Sequence, residues 1–136
     1  MPAAIAALRA NRLRVSAARR VVLEALLAAP GPATADELAT GFGGRSPESD
    51  LASMYRNLDT FERLGLVRHV QFGPGAARYV LSSRCAGGYV TCARCGSFDD
   101  LDAAALEALR RAVVADTSYD AGFTPLTLVG LCAHCS

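Results

Sequence analysis

Lysine is absent from this 136-residue chain, so its positive charge rests on arginine, with only two histidines beside it. No apolar run approaches the roughly 18 residues of a membrane-spanning helix, and no membrane partner is expected. The opening stretch, MPAAIAALRANRLR, places its arginines after the apolar residues, the reverse of a secretory signal. The expected location is therefore the cytoplasm. There thiols stay reduced, and a close cysteine pair more often holds metal or does catalysis than forms a disulfide. No acid or base of the kind that serves a catalytic thiol accompanies the cysteine pairs. GPGA, at Gly73 to Ala76, is a turn too short for a phosphate loop. Hydrolase and nucleotide-site readings find no support.

What is present is globular in composition, 51% apolar and 20% charged, and long enough for one ordinary domain or two small ones. The near-neutral total hides an asymmetry. Residues 1–84 hold 11 arginines against seven acids, and residues 85–136 hold three against six. The first 20 residues carry Arg9, Arg12, Arg14, Arg19 and Arg20 and no acid. A basic front and an acidic back suggest two functions in one chain, with a polyanion meeting the front.

The front half reads as short helices followed by a hairpin. Ser16 can cap AARRVVLEALLAA, where Val22, Leu23, Leu26 and Leu27 recur at helical spacing. PGP at Pro30 to Pro32 stops it, and Thr34 with Glu37 fits a capping box opening TADELATGF. GGRSPES reads as a loop. Ser49 or Asp50 then starts DLASMYRNLDTFERLG, which Gly65 ends. LVRHVQF and ARYVLS, joined by GPGA, form a hairpin. Three helices and a hairpin make a winged helix-turn-helix.

In the Asp50 to Leu64 helix, Leu51, Met54, Leu58 and Phe61 repeat at three and four and are expected to face the core. Ser53, Arg56, Asn57, Thr60 and Arg63 then face outward. That face suits the DNA major groove, where arginine pairs with guanine and asparagine with adenine. It also suits water, and periodicity alone favours that plainer reading.

CARC at Cys92 to Cys95 and CAHC at Cys132 to Cys135 leave three chemistries open: a redox pair, disulfides or a metal site. Four thiolates satisfy tetrahedral zinc. The intervening DAAALEALRRAVVA reads as a helix between strand-like ends, and a last strand returning beside the first would unite the pairs. A redox pair of the thioredoxin kind opens a helix after a strand, whereas CARC runs into GSFDDLD, which reads as turn and strand.

ASMYRNLDTFERLGLV resembles the recognition-helix signature of the ferric uptake regulator (Fur) family of bacterial repressors. LRVSAARRVVLEAL is similar to that family's first winged-helix segment, TADEL to its second helix and GPGAARYVL to its wing. YVTCARCG with GLCAHC resembles its metal-binding dimerisation domain. The resemblance runs in order from about Leu8 to Cys135. It implies DNA contacts by Tyr55 and Arg56, with Arg14 and Arg19 on the DNA backbone. It also implies a structural zinc held by Cys92, Cys95, Cys132 and Cys135.

The chain departs from that family at the sensor. The customary His-His-x-His-x-x-Cys run is replaced by CAGGYVTC, so Gly87 and Tyr89 stand where two ligands are expected. Pro32 and Val80 occupy further ligand positions, and TPLT follows AGF where another histidine is common. Glycine, proline and valine offer no side-chain donor. Either the regulator has no metal switch, or another set serves, such as Cys85 with His69 and Asp100. Cys85 is either a reactive thiol or simply a small apolar residue.

The expected fold is α+β, with a winged-helix DNA-binding domain over residues 1–82 and a small zinc-binding dimerisation domain over 83–136. The expected function is a dimeric repressor that binds a double-stranded operator, with one structural Zn²⁺ per subunit. The alternatives are a zinc-bearing protein-interaction module and a thiol-based redox sensor or oxidoreductase.

Overall fold

A computed structural model describes residues 2–44, 49–120 and 125–136. The loop expected at GGRSPES and the segment AGFT lie wholly or partly outside these. The chain groups into two compact units, Met1–Val70 with Ala76–Cys85, and Gln71–Gly75 with Ala86–Ser136.

The first unit begins with a helix that the sequence reading did not anticipate, α1 (Pro2–Ala10). Its signals were slight: a proline at the first helical position, and Ala4 and Leu8 one turn apart. Leu8 is fully buried and anchors α1 to the core. The Ser16 hydroxyl accepts from the Arg19 amide at 3.2 Å and opens α2 (Ala17–Ala28). Val22, Leu23, Ala25 and Leu26 are buried, whereas Leu27, expected among them, is 39% exposed. At about 100° per residue Leu27 falls outside the buried arc, and Ala25 takes its place.

β1 (Ala33–Thr34) leads into α3 (Ala35–Gly44) through the expected capping box. The Glu37 amide donates to Thr34 Oγ1 and the Thr34 amide to Glu37 Oε1, each at 3.2 Å. Asp50 caps α4 (Leu51–Arg63) by accepting from the Ser53 amide at 2.9 Å. Gly65, at φ +75°, lets the chain turn away after the helix. Met54, Leu58 and Phe61 are fully buried, but Leu51 is 40% exposed. It lies about 50° off the centre of that stripe, in the first turn. Replacing Asp50 by Ala should cost about 1 kcal/mol. That should lower the first unit's melting temperature by roughly 4–8 °C, readable by circular dichroism; an unchanged melt would show that the cap contributes nothing.

β2 (Val67–Val70) and β3 (Arg78–Leu81) pair antiparallel, Val67 opposite Leu81 and Val70 opposite Arg78, and β1 joins the far side of β3. The strands are shorter than expected, and the loop is Gln71 to Ala77 rather than GPGA alone. Its closure explains this. Gln71 Nε2 donates to the carbonyls of Gly73 and Gly75, at 2.8 Å each, so Gln71 curls over the loop instead of extending the ladder. Arg84, just past β3, donates to the carbonyls of Leu26, Leu27 and Ala29 at 3.1–3.3 Å, satisfying the open end of α2.

The second unit contains β4 (Gly88–Cys92), β5 (Phe98–Asp100), α5 (Ala103–Thr117) and β6 (Leu126–Gly130), with sheet order β5-β4-β6. Asp102 caps α5 through the Ala105 amide at 2.7 Å. β6 runs parallel to β4, Gly88 beside Leu126 and Cys92 beside Gly130. A parallel neighbour requires a crossover, which the stretch carrying α5 provides. The last strand thus returns beside the first, as the sequence suggested.

Candidate metal centre and nucleic-acid interface

Cys92 ends β4 and Cys132 follows β6 by two residues, so both Cys-x-x-Cys turns leave the same end of one parallel pair. The Ala93 amide reaches the Gly130 carbonyl at 2.8 Å, and Arg94 donates to the Cys135 carbonyl at 2.9 Å, bracing one turn against the other. The four sulfurs lie within 4.8 Å of one another, and no other grouping of three or more potential ligands occurs among the described residues. Cys95 Sγ and Cys132 Sγ are 3.7 Å apart. Four sulfurs about 2.3 Å from one tetrahedral zinc would sit about 3.8 Å from each other. A disulfide would need about 2.05 Å. The donor set fits a soft, tetrahedral ion.

Local hydrogen bonding prepares the sulfurs unequally. The backbone amides of Cys132 and then Cys95 hold the Cys92 thiol down to about 6. Ser97 lowers Cys95, its hydroxyl oxygen 3.1 Å from the sulfur. Cys135 is pushed up to about 12, first by its contact with Cys132 and then by Cys92. Binding a metal through all four sulfurs requires each as thiolate, so it would release the protons they hold. Ser97 and Arg94 were not singled out from the sequence. The signal for them was position: one lies inside the first turn and the other two residues past it.

The expected DNA-contact residues all lie in the first unit. Arg56 and Tyr55 are exposed on α4, and Ser53, Asn57 and Thr60 are half-buried. Asn57 Nδ2 donates to the Ser53 carbonyl at 3.0 Å, and Thr60 Oγ1 donates to the Arg56 carbonyl at 3.0 Å. Both side chains are thus held against their own helix. Tyr55 is turned about 100° from Arg56. It shares its flank with Asp59, Glu62 and Tyr79; burial and then the charges of Tyr55, Glu62 and Asp59 raise the Tyr79 phenol. Arg14 is exposed, and Arg19 reaches back to donate to the Arg14 carbonyl at 2.6 Å.

The alternative sensor residues have other attachments. His69 Nδ1 pairs with Glu62 on α4. Asp100 stands opposite Tyr89 in the β4–β5 ladder, and Cys85, half-buried, closes the turn Ser82–Arg84. The customary ligand positions hold an exposed glycine, Gly87, and three buried residues, Pro32, Val80 and Tyr89. A Cβ on Gly87 would lie 2.8 Å from Leu106 Cδ1. One on Gly88 would meet Leu106 at 2.9 Å, the Leu126 carbonyl oxygen at 3.1 Å and Leu101 at 3.2 Å. Tyr89 is fully buried, its hydroxyl accepting from the Ala86 amide at 2.9 Å. Pro32 and Val80 are buried too.

Residues 10–127 match the ferric uptake regulator family. The peroxide-responsive repressor PerR of Staphylococcus saprophyticus is 27% identical over 131 residues, covering 96% of this chain and 88% of the relative. Among solved structures, the ferric uptake regulator of Vibrio cholerae superposes with a TM-score of 0.73 at 26% identity, over 93% of this chain and 97% of its own. That of Helicobacter pylori, described as having three functional metal-binding sites, gives 0.75 at 17% identity, over 94% and 85%, a likeness of fold. The matched span takes in both the α4 face and the first cysteine pair, and the chain belongs to the ferric uptake regulator family, whose members are transcriptional regulators rather than enzymes.

Proposed function

We propose that this chain is a cytoplasmic, homodimeric repressor that binds a double-stranded operator. Residues 1–82 form its winged-helix DNA-binding domain, and residues 83–136 its dimerisation domain with one structural Zn²⁺. The observation that carries the DNA reading is α4: capped at Asp50, anchored by Met54, Leu58 and Phe61, and presenting exposed Arg56 on its other side, with Asn57 and Thr60 half-buried beside it. An element anchored on one face and basic and amide-bearing on the other is built to enter a major groove.

The zinc reading rests on the sulfur geometry. The dimer reading is supported by β6, an edge strand whose Leu128 and Val129, with Leu131 just beyond, are 41–56% exposed, and by α5, none of whose residues is fully buried. A second copy would cover such an edge.

Arg56→Ala tests the groove assignment. If Arg56 reads a base edge, its loss should cost about 1–3 kcal/mol on the operator and relax preference at one position. Arg14→Ala or Arg19→Ala should instead weaken binding to all sequences alike and lower the salt slope by about one. Equal loss on specific and random DNA for Arg56→Ala would move that residue to the backbone contacts.

A further inference from the structure

α4 carries an acid on the side that would meet a polyanion. The side chain of Asp59 is 72% exposed. Met54, Leu58 and Phe61 mark the buried direction of the helix, and at about 100° per residue Asp59 points about 130° away from it. Seen down the axis, Asp59 falls between Tyr55 and Arg56, about 40° from the first and about 60° from the second. Both of those side chains are exposed. Neighbouring acids have local roles. Asp50 caps α4, Glu37 closes the Thr34 capping box and pairs with Arg78, and Glu62 pairs with His69. Asp59 forms an ion pair with Arg63 at 3.6 Å, and both side chains are more than 70% exposed. A solvated pair of this kind adds little to stability.

A carboxylate brought among phosphates weakens binding unless a base offers it a hydrogen-bond donor. In the major groove the N4 amine of cytosine is that donor. Adenine also presents an amine, but beside the N7 acceptor, an edge that suits an amide rather than a carboxylate. Three residues advance the helix by about 4.5 Å, close to one base step of about 3.4 Å. We propose, on the DNA-binding reading above, that Asp59 is a specificity-determining residue, accepting a hydrogen bond from the N4 amine of a cytosine in the base pair next to the one that Arg56 reads.

The test is selection from a library of randomised duplexes by the full zinc-loaded chain. Affinity is then measured on the selected duplex, on its single-base-pair changes and on mixed-sequence DNA. The Arg56 guanine is identified as the position where Arg56→Ala loses preference. Beside it the parent should prefer cytosine by about tenfold, the usual scale for one mismatched pair. Asp59→Ala should lose that preference, keep the one for guanine, and bind mixed-sequence DNA at least as tightly as the parent. Asp59→Asn should move the preference to adenine, whose N6 and N7 an amide meets together. A parent with no cytosine preference beside the guanine, or an Asp59→Ala variant that retains one, would overturn the assignment. So would equal loss on selected and mixed-sequence DNA in Asp59→Ala, which would make Asp59 a support of the helix. A parent that selects no sequence at all would overturn the DNA-binding reading itself, and the base contact with it.

Discussion

Cys92→Ser or Cys132→Ser should release the metal, unfold the second unit and abolish dimerisation. The reason is one of scale. Structural zinc contributes roughly 10–16 kcal/mol of binding free energy in zinc-finger peptides, against about 5–15 kcal/mol for the whole stability of a typical domain. The second unit has little else. Among its described residues the fully or nearly buried side chains are few, Tyr89, Thr91 and Cys92 among them, and α5 contributes none. Cys92 is also the residue where β4 pairs with the end of β6, so the ion ties down both central strands. Operator affinity should fall with dimerisation, because two half-site contacts are then no longer linked. Metal analysis, light scattering and circular dichroism on each variant check this. A variant that keeps one zinc per subunit and its dimer state would remove these cysteines from the ligand set.

Elements with local causes were legible in the sequence. The Ser16 and Thr34 caps, a helix start at Ser49 or Asp50 and the Gly65 stop depend on residues within a turn of each other, and the structure places the third cap at Asp50. The return of β6 beside β4 was legible for a different reason: one tetrahedral site cannot take four sulfurs unless the chain brings both pairs together. What escaped had distant causes. α1 carries a weak apolar stripe, and only Leu8 meeting the core makes it a helix of this fold. The length of the hairpin loop was missed because Gln71 closes it on the carbonyls of Gly73 and Gly75, where the sequence reads as one more strand residue. Arg84 reads as one more arginine until α2 presents it with three carbonyls. Leu27 and Leu51 were assigned to the core because stripes were counted, whereas burial follows the narrower arc that neighbouring elements cover.

The sensor position is where sequence and structure together support more than either alone. From the sequence, Gly87 and Tyr89 merely lack good donors. In the structure a Cβ on either Gly87 or Gly88 would meet the Leu106 side chain, and the Tyr89 hydroxyl is held by the Ala86 amide. A metal switch works only when the ion binds one conformation better than another, through side chains that can reach it. We therefore expect operator affinity of the zinc-loaded protein to change less than about tenfold, or about 1.4 kcal/mol of coupling, when Fe²⁺, Mn²⁺ or further Zn²⁺ is added.

Restoring a histidine at Gly87 requires the Leu106 side chain to move. Gly87 is exposed and a Cβ there meets only the far end of the half-buried Leu106 side chain, so Gly87→His should push that side chain aside and destabilise the second unit by about 1 kcal/mol, the low end of overpacking costs. Because the obstruction is the end of a leucine rather than backbone, adding Leu106→Ala should recover much of that loss. Gly88→Ala should have no such remedy, since a Cβ there also faces the Leu126 carbonyl oxygen. Denaturant unfolding of the four proteins, beside a metal titration of operator binding, separates the possibilities. Gly87→His as stable as the parent would show that Leu106 does not close the position. A rise of tenfold or more in the parent's operator affinity on adding metal would show that a regulatory site is assembled from other residues.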